Sequence, residues 1–218
     1  MYKYVLFDLD GTLTDPALGI TNSIIYALKK WGITPPAREQ LYKFIGPPLA
    51  KEMQKEFALT AEESMTMLSY YREYFSDRGL FENEIYSGIP QLLADLKAGG
   101  RRLALATSKP QVFAEEILKH FGIFEYFDVI SGASLDGTHD KKADVIRMAL
   151  SRFAPQAKES AVMVGDRCFD AEGAAEVGIP CIAVGYGYGS EDELKTAGAS
   201  FYARTVDELA EILLKSEV

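Results

Sequence analysis

Two cysteines and two histidines among 218 residues leave little room for sulfur or imidazole chemistry. Cys168 and Cys181 cannot form a disulfide framework, and they read as two small buried hydrophobes in a reducing compartment. His120 and His139 stand outside every motif and read as surface or packing residues. No apolar run approaches the ~18 residues that a membrane span needs, and the N-terminus has no signal-peptide layout. A soluble cytoplasmic chain is expected. Basic residues are also short: 23 Lys and Arg face 32 Asp and Glu, a net charge of −9. That balance lacks the basic footprint of a nucleic-acid or anionic-membrane binder, so neither is expected as a partner. An anionic substrate would need positive charge supplied locally. Internal repeats and low-complexity tracts are missing too, while the 48% of hydrophobic residues suffices for a core in one domain, or a domain with an insertion.

What is present is organised around Asp8-Leu9-Asp10-Gly11-Thr12-Leu13-Thr14-Asp15. It follows a buried-strand run, Tyr4 to Phe7. Side chains alternate along a strand, so two acids one residue apart share a purpose only if both lie just past its end, where Gly11 frees the backbone to turn. The carboxyl end of a parallel strand is where open α/β sheets bind ligands.

Asp15 reads as an N-cap with Pro16 as first helical residue, and Ala17, Ile20, Ile24, Leu28 and Trp31 recur at helical spacing up to Gly32. Short helices are expected over Arg38–Phe44 and Leu49–Phe57, separated by the irregular Ile45-Gly46-Pro47-Pro48. Thr60 and Glu63 form a capping box for a helix to about Arg78, with Met65, Leu68, Tyr71 or Arg72, and Phe75 inward. From Ile85 the pattern changes. Strands at Leu103–Ala106, Phe127–Ile130, Ala161–Val164, Cys181–Val184 and near Phe201 alternate with helices at Pro90–Lys97, Pro110–His120, Lys142–Phe153 and Ala171–Val177. Ser190 with Glu193 and Thr205 with Glu208 supply two further capping boxes. Such a βαβ series implies a doubly wound, Rossmann-like parallel sheet. Residues 1–15 and 83–218 are expected to form this core, and 16–82 a small all-helical insertion.

Three later stretches carry groups suited to phosphate or to a metal. Thr107-Ser108-Lys109 offers hydroxyls and free N–H groups that can hold a phosphate oxygen. Lys141 or Lys142, at the start of a helix, can neutralise a carboxylate and a transferring phosphoryl group; a solvated pair is the other reading. Val164-Gly165-Asp166 to Asp170 brings two more acids. Four carboxylates converging on one pocket drive each other's pKa upward unless a cation joins them, and oxygen donors suit Mg²⁺.

Asp-Leu-Asp-Gly-Thr-Leu, the Thr107 strand end, the lysine before Val145-Ile146 and Gly-Asp-x-x-x-Asp at 165–170, in this order, resemble the four motifs of the haloacid dehalogenase-like phosphohydrolases. The resemblance spans essentially the whole chain. It implies that Asp8 is the nucleophile taking up phosphate as an aspartyl phosphate and that Asp10 is the general acid and base. It also implies that Thr107, Ser108 and Gly11 contact phosphate. The Lys-x-x-Val-Ile form selects Lys142 as the motif lysine, although the commoner Lys-Pro-x-Pro is not matched. The implied Mg²⁺ set is Asp8, the Asp10 carbonyl and Asp166, with Asp170 holding a metal-bound water or orienting its neighbours.

The insertion resembles the helical cap of phosphoglycolate phosphatases. Phe44 to Leu49, Asn83 to Ile89 and Gly185-Tyr186-Gly187-Tyr188-Gly189 carry the flavour of that branch. Substrate choice is expected from this cap, at Ile45, Gly46 and Arg72. The implied activity is hydrolysis of a small, phosphoglycolate-like phosphomonoester by a monomer or homodimer. A β-phosphoglucomutase-like mutase, an inorganic pyrophosphatase, a 5'-nucleotidase and a phosphate-sensing regulator without turnover are the alternatives.

Overall fold

The computed structural model describes residues 2–135 and 141–215; His139 lies outside them. The first strand, β1 (Tyr4–Phe7), is buried along its whole length. The chain then turns through the Asp8–Leu13 loop into β2 (Thr14–Asp15) and enters α1 (Ala17–Trp31). A 3₁₀ turn at Arg38–Phe44, α2 (Leu49–Phe57), α3 (Ala61–Tyr74) and a π turn at Phe75–Gly79 follow, before β3 (Glu84–Ile85) pairs with β2. The remainder runs α4 (Ile89–Ala98), β4 (Arg102–Pro110), α5 (Gln111–His120), β5 (Val129–Ala133), α6 (Lys142–Ser151), β6 (Ala161–Gly165), α7 (Cys168–Val177), β7 (Cys181–Val184), α8 (Glu191–Thr196), β8 (Phe201–Ala203) and α9 (Val206–Lys215).

The six-stranded sheet has the order β5-β4-β1-β6-β7-β8, with every pair parallel. The order reverses at β1: β4 and β5 lie on one side, β6 to β8 on the other. Such a switch point opens a crevice beyond the carboxyl ends of the strands. Alternation along β1 sends Leu6 to one face, where Ala104 and Met163 join Val145 and Ile146 of α6 and Ala174 of α7. Val5 and Phe7 fill the opposite face.

The chain divides into two compact units, Met1–Asp15 with Ile85–Val218, and Pro16–Glu84. The second is helical among its described residues, apart from Glu84. Its α1 buries Ile20, Ile24, Ala27 and Leu28, and a left-handed Gly32 ends it. α3 opens on a full capping box between Thr60 and Glu63. Gly19 of α1 lies directly against the π turn: a Cβ there would stand 1.9 Å from the Gly79 carbonyl oxygen.

Several expectations are corrected. The cap position of α1 falls on Pro16, one residue past Asp15, whose carboxylate accepts the Tyr188 hydroxyl. On α3 the buried stripe is Ser64, Met67, Leu68 and Tyr71, one position away from Met65, which is exposed. The 38–44 helix is 3₁₀, and β5 begins at Val129 because Phe124–Tyr126 forms a turn of its own. β4 runs on to Pro110, and α7 starts at Cys168, whose side chain is only half-buried. Glu193 accepts from Cys168 N–H and Arg167 instead of completing the Ser190 box, of which only the Ser190 half forms. No helix among the described residues is long and apolar enough to cross a membrane.

Candidate active site

The Asp8–Asp15 stretch is a knot of backbone bonds. Asp8 N–H donates to Val164 O, continuing the β1–β6 ladder by one residue, and the Leu9 carbonyl accepts from Thr12, Leu13 and Thr14. Asp8 and Asp10 are both buried there. Gly11, at φ +82°, is required twice over: a Cβ would stand 2.2 Å from Asp166 Oδ2.

From the far side of the pocket, Lys142 opens α6 and points inward. Its Nζ lies 2.9 Å from Asp8 Oδ1, 2.9 Å from Asp170 Oδ1 and 3.2 Å from the Ala106 carbonyl. Lys141 is exposed, so of the two it is Lys142 that the fold brings to the acids. Gly173 on α7 allows this approach, since a Cβ would meet the Lys142 stem at 2.9 Å. Asp166 follows β6 and accepts from Thr12 Oγ1 at 3.2 Å and Tyr188 N at 2.8 Å. Asp170 sits in the first turn of α7 and accepts from Arg167 N at 3.0 Å. Thr107 is buried at the carboxyl end of the sheet and Ser108 half-buried beside it. Ile45 is buried, Gly46 adopts φ +104° and Arg72 is half-buried; all three belong to the helical unit.

Burial raises the Asp166 carboxyl well above the usual range, and the neighbouring Asp170 and Asp8 push it further. Asp170 rises to about 6, driven by burial and by Asp8 against the pull of Lys142. Burial also raises Asp10, opposed by Lys109. Burial works against the Lys142 ammonium, but Asp170 and Asp8 outweigh it and hold the proton on. With all six ionised, four buried carboxylates (8, 10, 166, 170) face two buried ammonium groups (109, 142), leaving two negative charges in excess. Asp8, Asp166 and Asp170 present oxygens that all lie within 4.8 Å of one another. An all-oxygen donor set in a pocket with a net charge of −2 fits a small hard divalent cation such as Mg²⁺.

The family model described as haloacid dehalogenase-like hydrolase matches residues 5–184. The chain belongs to this family. The crystal structure of a predicted phosphatase from Clostridium acetobutylicum superimposes with a TM-score of 0.94 at 46% identity, over 99% of both chains. A 5'-nucleotidase from Pseudomonas aeruginosa is 43% identical over 97% of this chain and 96% of its own. Tyrosine-protein kinase PtkA of Mycobacterium tuberculosis is also 43% identical, over 97% of this chain and 72% of its own. Phosphoglycolate phosphatases stand among the more distant relatives. This haloacid dehalogenase-like hydrolase is thus an enzyme of the phosphatase kind.

Two parts of the hydrolase site escaped the sequence reading of roles. Lys109 is buried, with Nζ 2.6 Å from Asp10 Oδ2. Its place before Pro110 suggested only a turn. The Gly185–Gly189 stretch closes over Asp166: a Cβ on Gly187 would meet Asp166 Cβ at 2.4 Å, and one on Gly189 the Asp166 carbonyl oxygen at 2.1 Å. Tyr186 anchors this stretch by donating to Thr12 O at 3.0 Å. Alternating glycines are the signal that could have found it, since they mark backbone passing close to other atoms.

Proposed function

We propose that the protein hydrolyses a small organic phosphomonoester through a phosphoryl intermediate on Asp8, with Mg²⁺ as cofactor. The observation that carries this reading is the Lys142 ammonium bridging Asp8 and Asp170 beside Asp166, at the switch point of the sheet. Asp8 attacks phosphorus while Asp10 gives a proton to the departing oxygen; Asp10 then takes a proton from the water that cleaves the acyl phosphate. Lys142, 2.9 Å from Asp8 Oδ1, orients the nucleophile and offsets charge gathering on the phosphoryl oxygens. Thr107 and Ser108 hold phosphate oxygens, and Gly11 leaves room for the group to approach. Asp8, the Asp10 carbonyl and Asp166 would hold Mg²⁺, with Asp170 behind them, and the bound ion would neutralise charge on the phosphate.

The helical unit serves as the cap, and Ile45, Gly46 and Arg72 within it set substrate choice. Likeness to the P. aeruginosa 5'-nucleotidase supports a nucleoside 5'-monophosphate as the first substrate to try, ahead of phosphoglycolate.

The test is phosphate release from a panel of nucleoside monophosphates, sugar phosphates, phosphoglycolate and pyrophosphate, with Mg²⁺ and after chelation. Hydrolysis of at least one monoester that stops on chelation is the expected result. Undiminished turnover in excess chelator refutes the metal assignment, and a dead panel refutes the activity.

A further inference from the structure

We propose that Lys109 is a positioning residue for Asp10: its ammonium fixes one carboxylate oxygen and thereby presents the other to the leaving oxygen of the substrate. The inference rests on the reading of Asp10 as the proton-transfer group. Its own evidence is geometric. Lys109 Nζ stands 2.6 Å from Asp10 Oδ2, with both residues buried. Asp10 Oδ1 is buried and has no hydrogen-bond partner among the described residues. One oxygen is therefore held, and the other has no partner among the described residues. A carboxylate torsion is broad and two-fold when unrestrained, so a short charge-assisted bond to one oxygen selects one presentation.

The backbone is built to deliver this lysine. The β4–β5 register is regular from Ala104 to Thr107, then shifts before Pro110. Such irregularities re-aim side chains next to active sites. Lys109 N–H turns back to Thr107 Oγ1 at 3.2 Å. Its carbonyl oxygen runs so close to Gly132 of β5 that a Cβ there would meet it at 2.8 Å. A buried ion pair is weak support for stability, because desolvating both ions offsets their attraction. A lysine delivered into the pocket by a register shift is better explained by what it does to Asp10.

In the first half-reaction the Asp10 Oδ1–H bond breaks as the proton passes to the ester oxygen. The phosphorus–ester bond breaks and the phosphorus–Asp8 bond forms. In the second half, Oδ1 takes a proton from water as the water oxygen bonds to phosphorus and the Asp8 oxygen leaves. Lys109 donates a hydrogen bond to Oδ2 and takes no part in the proton transfer itself.

The experiment compares wild type with Lys109→Met, Lys109→Gln and, as control, Asp10→Asn on two esters in saturating Mg²⁺. One is an alkyl phosphate, whose alkoxide needs a proton to leave; the other is p-nitrophenyl phosphate, whose phenolate does not. For Lys109→Met, kcat/KM on the alkyl ester is expected to fall about 100-fold, the low end of general-acid contributions, and on the aryl ester by less than about 10-fold. Because Asp10 is also the base of the second half, the aryl ester should show a burst of nitrophenolate in Lys109→Met that wild type lacks. Lys109→Gln keeps an N–H donor and should recover part of the alkyl-ester loss; it also serves if the methionine variant fails to fold. Equal losses on both esters, or none, in a folded variant would overturn the proposal. If Asp10→Asn discriminates between the esters and the Lys109 variants do not, only the Lys109 inference fails. If wild type hydrolyses neither ester, the functional reading fails with it.

Discussion

Replacing Asp8 with Asn should abolish turnover and yet raise the melting temperature of the metal-free protein. The structure fixes the competing effects. Asp8 Oδ1 lies 2.9 Å from the Lys142 ammonium, an attraction of about 6 kcal/mol at an effective dielectric of ~20. Its carboxylate also lies within 4.8 Å of oxygens of Asp166 and Asp170, two repulsions of about 3.5 kcal/mol each at the same dielectric when all three are ionised, so the comparison belongs at a pH where they are. Repulsion therefore leads by about 1 kcal/mol, before counting the desolvation of a buried charge, which works in the same direction. Lys142 keeps Asp170 after the substitution, so no ammonium is left unpaired. For a chain of this size 1 kcal/mol corresponds to roughly 2–4 °C. The assay is thermal unfolding in chelator and in saturating Mg²⁺, alongside phosphate release. The variant should melt higher than wild type in chelator, and the order should shrink or reverse with Mg²⁺, which stabilises the fuller carboxylate set more. A variant melting several degrees below wild type in chelator would show that the Lys142 contact outweighs the repulsion and would refute the reasoning.

Two more expectations follow from the same pocket. Lys142→Ala should cut kcat by at least about 100-fold, because it removes a buried charge aimed at the reacting centre, whereas Lys141→Ala, at an exposed position, should stay within about 2-fold. Equal sensitivity would refute the assignment. In chelator, stability should fall as pH rises from about 5 to 7: Asp166 and Asp170 are raised in the folded protein, so the native state binds more protons than the unfolded chain in that window and loses the advantage as they ionise. Melting curves across that range check it; a flat or rising profile refutes it, and the stabilisation by Mg²⁺ should grow over the same interval.

Most of the core was legible because local signals and tertiary demand agree there. The run Tyr4–Phe7 is a strand with those bounds and α6 begins at Lys142; in the helical unit, α2 occupies Leu49–Phe57, starting after Pro47-Pro48. The acids and Lys142 could be found because strand, turn and helix start recur around each of them. What could not be read depends on distant atoms. Asp15 has the sequence of an N-cap, and nothing local shows that it also accepts the hydroxyl of Tyr188, 173 positions away. Lys109 faces inward only because β4 changes register against β5, and no property of Ser108-Lys109-Pro110 announces that. Met65 and Met67 are equivalent in composition, and only the packing of α3 distinguishes them.

The place of β1 in the sheet sets the order in which the chain can assemble during synthesis. It is made before the other strands of its sheet, yet Tyr4 pairs with Arg102 on one side and Ala161 on the other, residues that emerge much later. An apolar segment, Val5-Leu6-Phe7, must therefore wait in solvent or in the care of a chaperone while most of the protein is translated. The helical unit, Pro16–Glu84, is continuous in sequence and relies on local contacts, so it can form during that wait. The acid cluster forms late, because Asp166 and Asp170 reach Asp8 only when β6 docks beside a strand made some 150 residues earlier. Truncations that spare Asp8 and Asp10 but stop short of β6 would hold the first two acids and no pocket, with the edge of β1 open to aggregation.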